Sequence, residues 1–197
     1  MPHYVPKDLK HVSYSEFDVL MGKLEIQVRN FLERNHMSID IIVPLFEYAT
    51  LPAQRLASSF WIRTVISYLH SFKQLGEGCL KHLLINKERF LETEYRQEVF
   101  TPRGVLILDT HTIFSDVPKE IIEELKMHYP NASFLFLSLV YSDLLCDDFP
   151  CPLLYCQRSR ECLQEQGVLD KLFIFPWESE SSVLQNMNAV LMKKGKD

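Results

Sequence analysis

The chain has 197 residues, is 47% hydrophobic and 24% charged, and carries a net charge of -5. That length supports one well-buried core rather than two comfortable domains, so a single domain over residues 1–197 is expected. The acidic balance gives no general attraction for phosphate backbones, and no run approaches the roughly 18 apolar residues of a membrane span, so nucleic acid and membrane are set aside as partners.

Residues 1–8 lack the apolar stretch of a secretory signal, which predicts a cytoplasmic protein with its five cysteines present as reduced thiols or ligands. Ser13, Tyr14, Ser15 and Glu16 then spell a capping box, and Phe17, Leu20, Met21, Leu24, Val28, Phe31 and Leu32 follow at helical spacing. Residues 40–45 form a short apolar run without alternation, the pattern of a strand covered on both faces. Pro52 sits where a first helical turn tolerates it, so a helix is expected over residues 51–57, and residues 64–69 read as a second strand. Between 73 and 103 the spacing of Leu80, Leu83, Leu84, Phe90, Leu91 and Tyr95 suggests one or two helices. A strand over 105–109, a helix over 118–128, a strand over 133–140, a short strand over 172–175 and an amphipathic helix over 182–193 complete the chain. The basic residues Lys193, Lys194 and Lys196 are expected to fray in solvent. Strands alternating with helices imply an α/β fold, a mostly parallel sheet flanked by helices, with its functional crevice at the carboxyl ends of the strands.

The order of helix, Asp40-Ile41-Ile42-Val43, loop, Leu51-Pro52-Ala53 and Leu56-Ala57 resembles the front half of a type I phosphoribosyltransferase, especially the xanthine/hypoxanthine-guanine branch. Val105-Leu106-Ile107-Leu108-Asp109 followed by a loop and a helix looks like the strand, sugar-phosphate loop and helix of that family, and Phe175-Pro176-Trp177-Glu178 matches a run common in the branch. The resemblance implies a core over about 13–143 and a hood-like segment over about 144–197. It also implies specific ligand groups. The pyrophosphate loop would be Pro44 to Thr50, where Glu47 stands in the usual place of Arg, and Phe46 and Tyr48 replace small residues beside Ala49. Small residues let backbone N–H groups approach phosphate oxygens, whereas rings obstruct them and a carboxylate repels the anion.

In the second loop, Asp109 keeps the place of the first ribose-binding acid, and Thr110 replaces the second. The 5′-phosphate cup would be Ile113, Phe114, Ser115, Asp116 and Val117, in which Ser115 alone offers a hydroxyl donor. The branch binds the purine with a Lys after the 133–140 strand, yet no Lys or Arg lies between Lys126 and Arg158. Leu172 and Phe173 fall where an aromatic would stack on the base, although a core role is favoured for Phe173. The absence of three ligand sets implies a retained scaffold that has abandoned the transfer reaction and acts as a binding, regulatory or assembly subunit.

A protein partner or self-association as a homodimer is then expected, through residues 80–95 or the closing helix with Val183, Leu184, Met187, Val190 and Leu191. No cofactor is expected. The alternative is an active, divergent enzyme that transfers phosphoribose from phosphoribosyl pyrophosphate to a purine with Mg2+. Asp109, which could equally be a strand-end cap, would then contact ribose.

Other signals are weaker. Cys146, Cys151, Cys156 and Cys162 could hold zinc, but their spacings of four, four and five residues match no metal knuckle. Pro150 and Pro152 predict an irregular turn there, with separately buried thiols preferred over a metal. His111 is expected to be a satisfied loop histidine rather than a base. Glu47, Asp109 and Asp116, with His111 nearby, could gather around Mg2+, but a solvated acidic rim is preferred.

Overall fold

Helix α1 (Tyr14–Arg34) starts where the capping box places it. The Ser13 hydroxyl accepts from the Glu16 N–H, and the Glu16 carboxylate accepts in return from the Ser13 N–H at 2.8 Å. These reciprocal bonds satisfy N–H groups that have no partner within the helix. Phe17, Met21, Leu24 and Val28 form its buried stripe, with Leu20, Phe31 and Leu32 packed beside them. The computed structural model describes residues 8–45, 47–65, 101–112, 116–142, 149–159, 171–181 and 183–184.

The other elements are β1 (Asp8–His11), β2 (Ile41–Pro44), a 3-10 turn (Glu47–Ala49), α2 (Thr50–Phe60), β3 (Thr64–Val65) and β4 (Gly104–Thr112). They are followed by α3 (Asp116–His128), β5 (Ser133–Ser142), β6 (Leu153–Ser159) and β7 (Lys171–Ile174). Five strands form one sheet in the order β3-β2-β4-β5-β6, every neighbouring pair parallel. Strands β1 and β7 pair separately, also in parallel.

The central strands are covered on both faces, which explains their unbroken apolar sequence. Their pleat divides the side chains between two cores. Ile42, Leu106, Leu108, Leu135 and Leu137 join the core that includes the α1 stripe. Ile41, Val43, Val105, Ile107, Phe134 and Phe136 face the other, with Ile121, Ile122 and Leu125 of α3.

Two close backbone contacts fix the start of the sheet. Asp40 accepts from the N–H groups of Arg103 at 2.7 Å and Gly104 at 3.3 Å, tying β2 to β4. At Gly104 a Cβ would lie 1.8 Å from the Ser38 carbonyl oxygen, so only glycine fits. Where α1 meets α2, Arg55 forms ion pairs with Asp18 and with Glu25.

Several expectations change. Strand β1 was not foreseen, because residues 8–11 show no periodic apolar pattern and pair only with the distant β7. Residues 153–159 form an edge strand where the prolines and cysteines predict an irregular turn. Pro150 and Pro152 precede that strand rather than interrupting it, and the sheet therefore continues past residue 143. Strand β7 lies in the small sheet, outside the main one. The helices expected within 73–103 fall outside the described residues except at 101–103, as does most of the closing helix; residues 180, 181, 183 and 184 are helical.

Candidate functional site

The chain passes from β2 through α2 to β3 on one side of β2, and β4 lies on the other. The carboxyl ends of β2 and β4 thus flank a topological switch point, where sheets of this kind bind ligands. Three segments meet there: the end of β4, the turn after β2, and the turn after β7.

Strand β4 runs beyond its expected limit at residue 109 because β5 extends the ladder, pairing His111 with Val140 and Thr112 with Tyr141. Asp109, Thr110 and His111 are therefore strand residues and not loop residues. Asp109 is only 3% exposed, which replaces the expected solvated acidic rim with a buried carboxyl. One of its oxygens accepts from the Thr112 hydroxyl at 3.0 Å, and the other has no hydrogen-bond partner. Burial pushes its pKa up to about 6, against the lowering effect of the Thr112 hydroxyl and the backbone at His111 and Thr110.

His111 likewise departs from a satisfied loop residue. Both ring nitrogens are buried without a hydrogen-bond partner, and burial depresses its pKa to about 4. Its ring stands edge-on to Phe173, with centroids 5.9 Å apart.

The turn after β2 brings Tyr48 and Ala49 to the same place. Ala49 is fully buried, and Tyr48 is half-buried against the core that contains Ile41, Val43 and Ile107. Burial, reinforced by the charges of Asp109 and Glu178, raises the Tyr48 pKa well above its ordinary value, so the phenol stays protonated. Helix α2 follows with Ala49 as its N-cap and no side-chain capping bond. Phe46 and Ser115 lie outside the described residues; Glu47 begins the 3-10 turn and Asp116 begins α3, but the described structure does not extend to their side chains.

The third segment supplies a residue that sequence reasoning did not place in the site. Glu178 accepts from the Phe175 N–H at 2.9 Å and returns its own N–H to the Phe175 carbonyl at 2.9 Å, forming a tight turn. Its pKa rises to about 7, chiefly through burial and further through Asp109, with the Phe175 N–H and the Thr110 hydroxyl opposing. Trp177 donates from Nε1 to the Tyr48 carbonyl at 2.7 Å, stacks on Phe175 at 5.3 Å and meets Phe17 edge-on at 4.7 Å. This turn bolts the segment after β7 to the loop after β2. The signal was the Phe-Pro-Trp-Glu run, in which an acid closes an aromatic turn.

The remaining described candidates do not join the site as ligands. Leu172 and Phe173 are 0% and 1% exposed, and Phe173 belongs to the α1 core, so its ring is packed and not offered to a base. Cys156 packs in the α1 core and its thiol donates to the Leu20 carbonyl, while Cys151 packs in the α3 core. Lying on opposite faces of the sheet, these two thiols cannot bind one ion together. Burial pushes both up to about 12. Cys146 and Cys162 lie outside the described residues.

No protein-family model and no curated protein sequence matches the chain. Solved structures do. A xanthine-guanine-hypoxanthine phosphoribosyltransferase from Helicobacter pylori aligns over 90% of this chain and 99% of its own, at 13% identity and a TM-score of 0.56. A purine phosphoribosyltransferase from Pyrococcus horikoshii aligns over 87% and 95%, at 16% identity and a TM-score of 0.51. The fold is that of a type I phosphoribosyltransferase. A hypothetical protein from Neisseria gonorrhoeae, solved with bound ppGpp, aligns over 95% and 99%, at 15% identity and a TM-score of 0.57. At these identities the likeness concerns the phosphoribosyltransferase-like scaffold alone. Among the described residues, no helix is long and apolar enough to cross a membrane.

Proposed function

We propose that this chain is a phosphoribosyltransferase-like protein that no longer transfers phosphoribose and serves as a binding, regulatory or assembly subunit. The observation that supports this reading is the gathering of the chain's own groups at the switch point. Tyr48 lies near enough to Asp109 and Glu178 for their charges to raise its pKa, and Trp177 donates to the Tyr48 carbonyl. The sequence of the two loops, residues 44–50 and 110–117, contains no Lys or Arg to offset a sugar diphosphate. Two like charges about 4 Å apart repel by roughly 4 kcal/mol at the effective dielectric near a protein surface. An ionised Asp109 or Glu178 therefore disfavours the donor, and their neutral forms offer a phosphate little more than one hydroxyl each. The subunit role requires a partner, either another protein or a second copy, and sedimentation of the purified chain reads self-association directly.

A second reading keeps the enzyme active. The retained Asp109 and the two purine phosphoribosyltransferases among the structural neighbours favour it. The burial of Phe173 opposes it, since that ring is packed in the core and not offered to the base. Incubation with phosphoribosyl pyrophosphate, Mg2+ and adenine, guanine, hypoxanthine or xanthine separates the readings. No pyrophosphate release is expected with any base; release that depends on one of them overturns the proposal.

A further inference from the structure

The amino end of the sheet, opposite the candidate site, carries the backbone strain of the molecule. Among the described residues, His36 at φ 50° and Trp61 at φ 57° are the non-glycine residues with positive φ. They end α1 and α2, each ahead of a strand of the sheet. Glycine takes such a position without steric cost, so a tryptophan held there needs a reason in its ring. That ring is 91% exposed, and its own fold makes almost no use of it.

Register brings positive charge to the same end. Thr64 pairs with Ile41, and Asp40 donates to the Gly104 carbonyl, so Arg63, Asp40 and Arg103 lead into three neighbouring strands. Asp40 holds Arg103 at 3.8 Å. Arg34 and Arg63 are exposed, and Arg29 lies over the Phe60 ring at 5.2 Å, beside Trp61 in the chain. Glu33 is an exposed acid among them. The complement stands on the other face of the sheet. Helix α3 finishes at this end, where Ser133 opens β5 by donating to the Arg103 carbonyl. Burial of Ile121, Ile122 and Leu125 turns Glu120, Glu123 and Met127 outward at i, i+3 and i+7, and Met127 is 73% exposed. Glu124 adds a third acid to this helix, against Lys119 and Lys126. Lys126 is held by Glu123 at 2.9 Å and by the Pro150 carbonyl at 3.0 Å.

We propose that a second copy of this chain docks on the amino end of the sheet across a two-fold axis, with Trp61, Arg34 and Arg63 of each copy against Met127, Glu120 and Glu123 of the other. Charge complementarity favours a copy over a foreign protein, because both surfaces belong to this one chain. They flank the same end on opposite faces of the sheet, with the α1 core under one and the α3 core under the other. One two-fold rotation therefore makes both contacts together and closes the assembly. The indole supplies the large apolar anchor, a thioether packs well against an aromatic ring, and the charges around them select the partner. This dimer names the partner in the subunit reading above and rests on the self-association part of that reading.

Sedimentation velocity of the purified full chain between about 1 and about 100 μM reads the assembly. A dimer is expected to form as concentration rises, with tryptophan emission moving to the blue as Trp61 is covered. Trp61→Gly removes the ring and leaves the residue that this backbone prefers, so W61G should stay monomeric with native circular dichroism. R34E/R63E and E120R/E123R should each be monomeric too. An equimolar mixture of these two should form a heterodimer, because reversing both signs restores both contacts. A parent chain that is monomeric throughout leaves any partner foreign and overturns the proposal. So does a dimer that W61G and both reversals leave intact, or a mixture that stays monomeric. None of these results bears on loss of transfer, which pyrophosphate release reads separately.

Discussion

Replacing Asp109 by Asn removes a charge that the fold buries without full compensation. The folded structure holds the Asp109 pKa near 6, against an ordinary value of 3.8, a difference of about 2 units. At about 1.4 kcal/mol per unit, ionisation of Asp109 costs the folded state about 3 kcal/mol at pH 8 relative to a site that titrates normally. Between the two values the folded chain binds more protons than the unfolded chain. Stability from this group is accordingly intact below about pH 4 and is lost as pH rises through 6. Asn keeps the shape and can still accept from the Thr112 hydroxyl, but leaves an amide donor to be satisfied, which offsets about 1–2 kcal/mol. Urea denaturation of D109N should therefore show a net gain of about 1–2 kcal/mol over the parent chain at pH 8, and none or a small loss at about pH 5. Equal or greater destabilisation at pH 8 would refute the reasoning, because it would mean that the ionised carboxylate has favourable partners in the fold.

Three further outcomes follow from the geometry. Gly104→Ala drives a methyl group into the Ser38 carbonyl and should lower stability by about 3 kcal/mol or more, seen as a large drop in the urea midpoint. Arg55→Ala breaks ion pairs with Asp18 and Glu25 at a side chain that is 34% exposed; the loss should be no more than about 1 kcal/mol and should shrink in high salt. Cys151 and Cys156, with thiols pushed up to about 12, should be slow to react with a disulfide reagent at pH 8. Replacing either by Ser should leave the fast-reacting thiol count of the native protein unchanged and reduce the count after unfolding by one.

Much of the scaffold was legible because local chemistry and tertiary structure agree. The capping box at Ser13 and the stripe from Phe17 to Val28 specify α1 on their own, and the unalternated runs at 41–44 and 105–108 announce strands buried on both faces. Elements defined by distant partners were not legible. Strand β1 exists through its register with β7, and β6 through its register with β5, while their own residues carry mixed polarity. The end of β4 was misjudged for the same reason, since an Asp reads locally as a stop and it is β5 that carries the ladder on to Thr112. Within the site, the bulk of Tyr48 could be read from its residue type, whereas the burial of Asp109 could not, since its neighbouring acids suggest a solvated rim. The role of Glu178 could not, because its approach to Thr110 and Asp109 depends on how the turn after β7 docks across the sheet.

The most direct measurement of whether the crevice excludes a sugar diphosphate is isothermal titration of the purified chain with phosphoribosyl pyrophosphate in the presence of Mg2+, with ppGpp as a parallel ligand. For the sugar diphosphate, heats indistinguishable from dilution are expected at neutral pH. Saturable, stoichiometric binding of phosphoribosyl pyrophosphate that is lost in D109N would contradict the account, since it would show Asp109 still serving as a ligand in an open site.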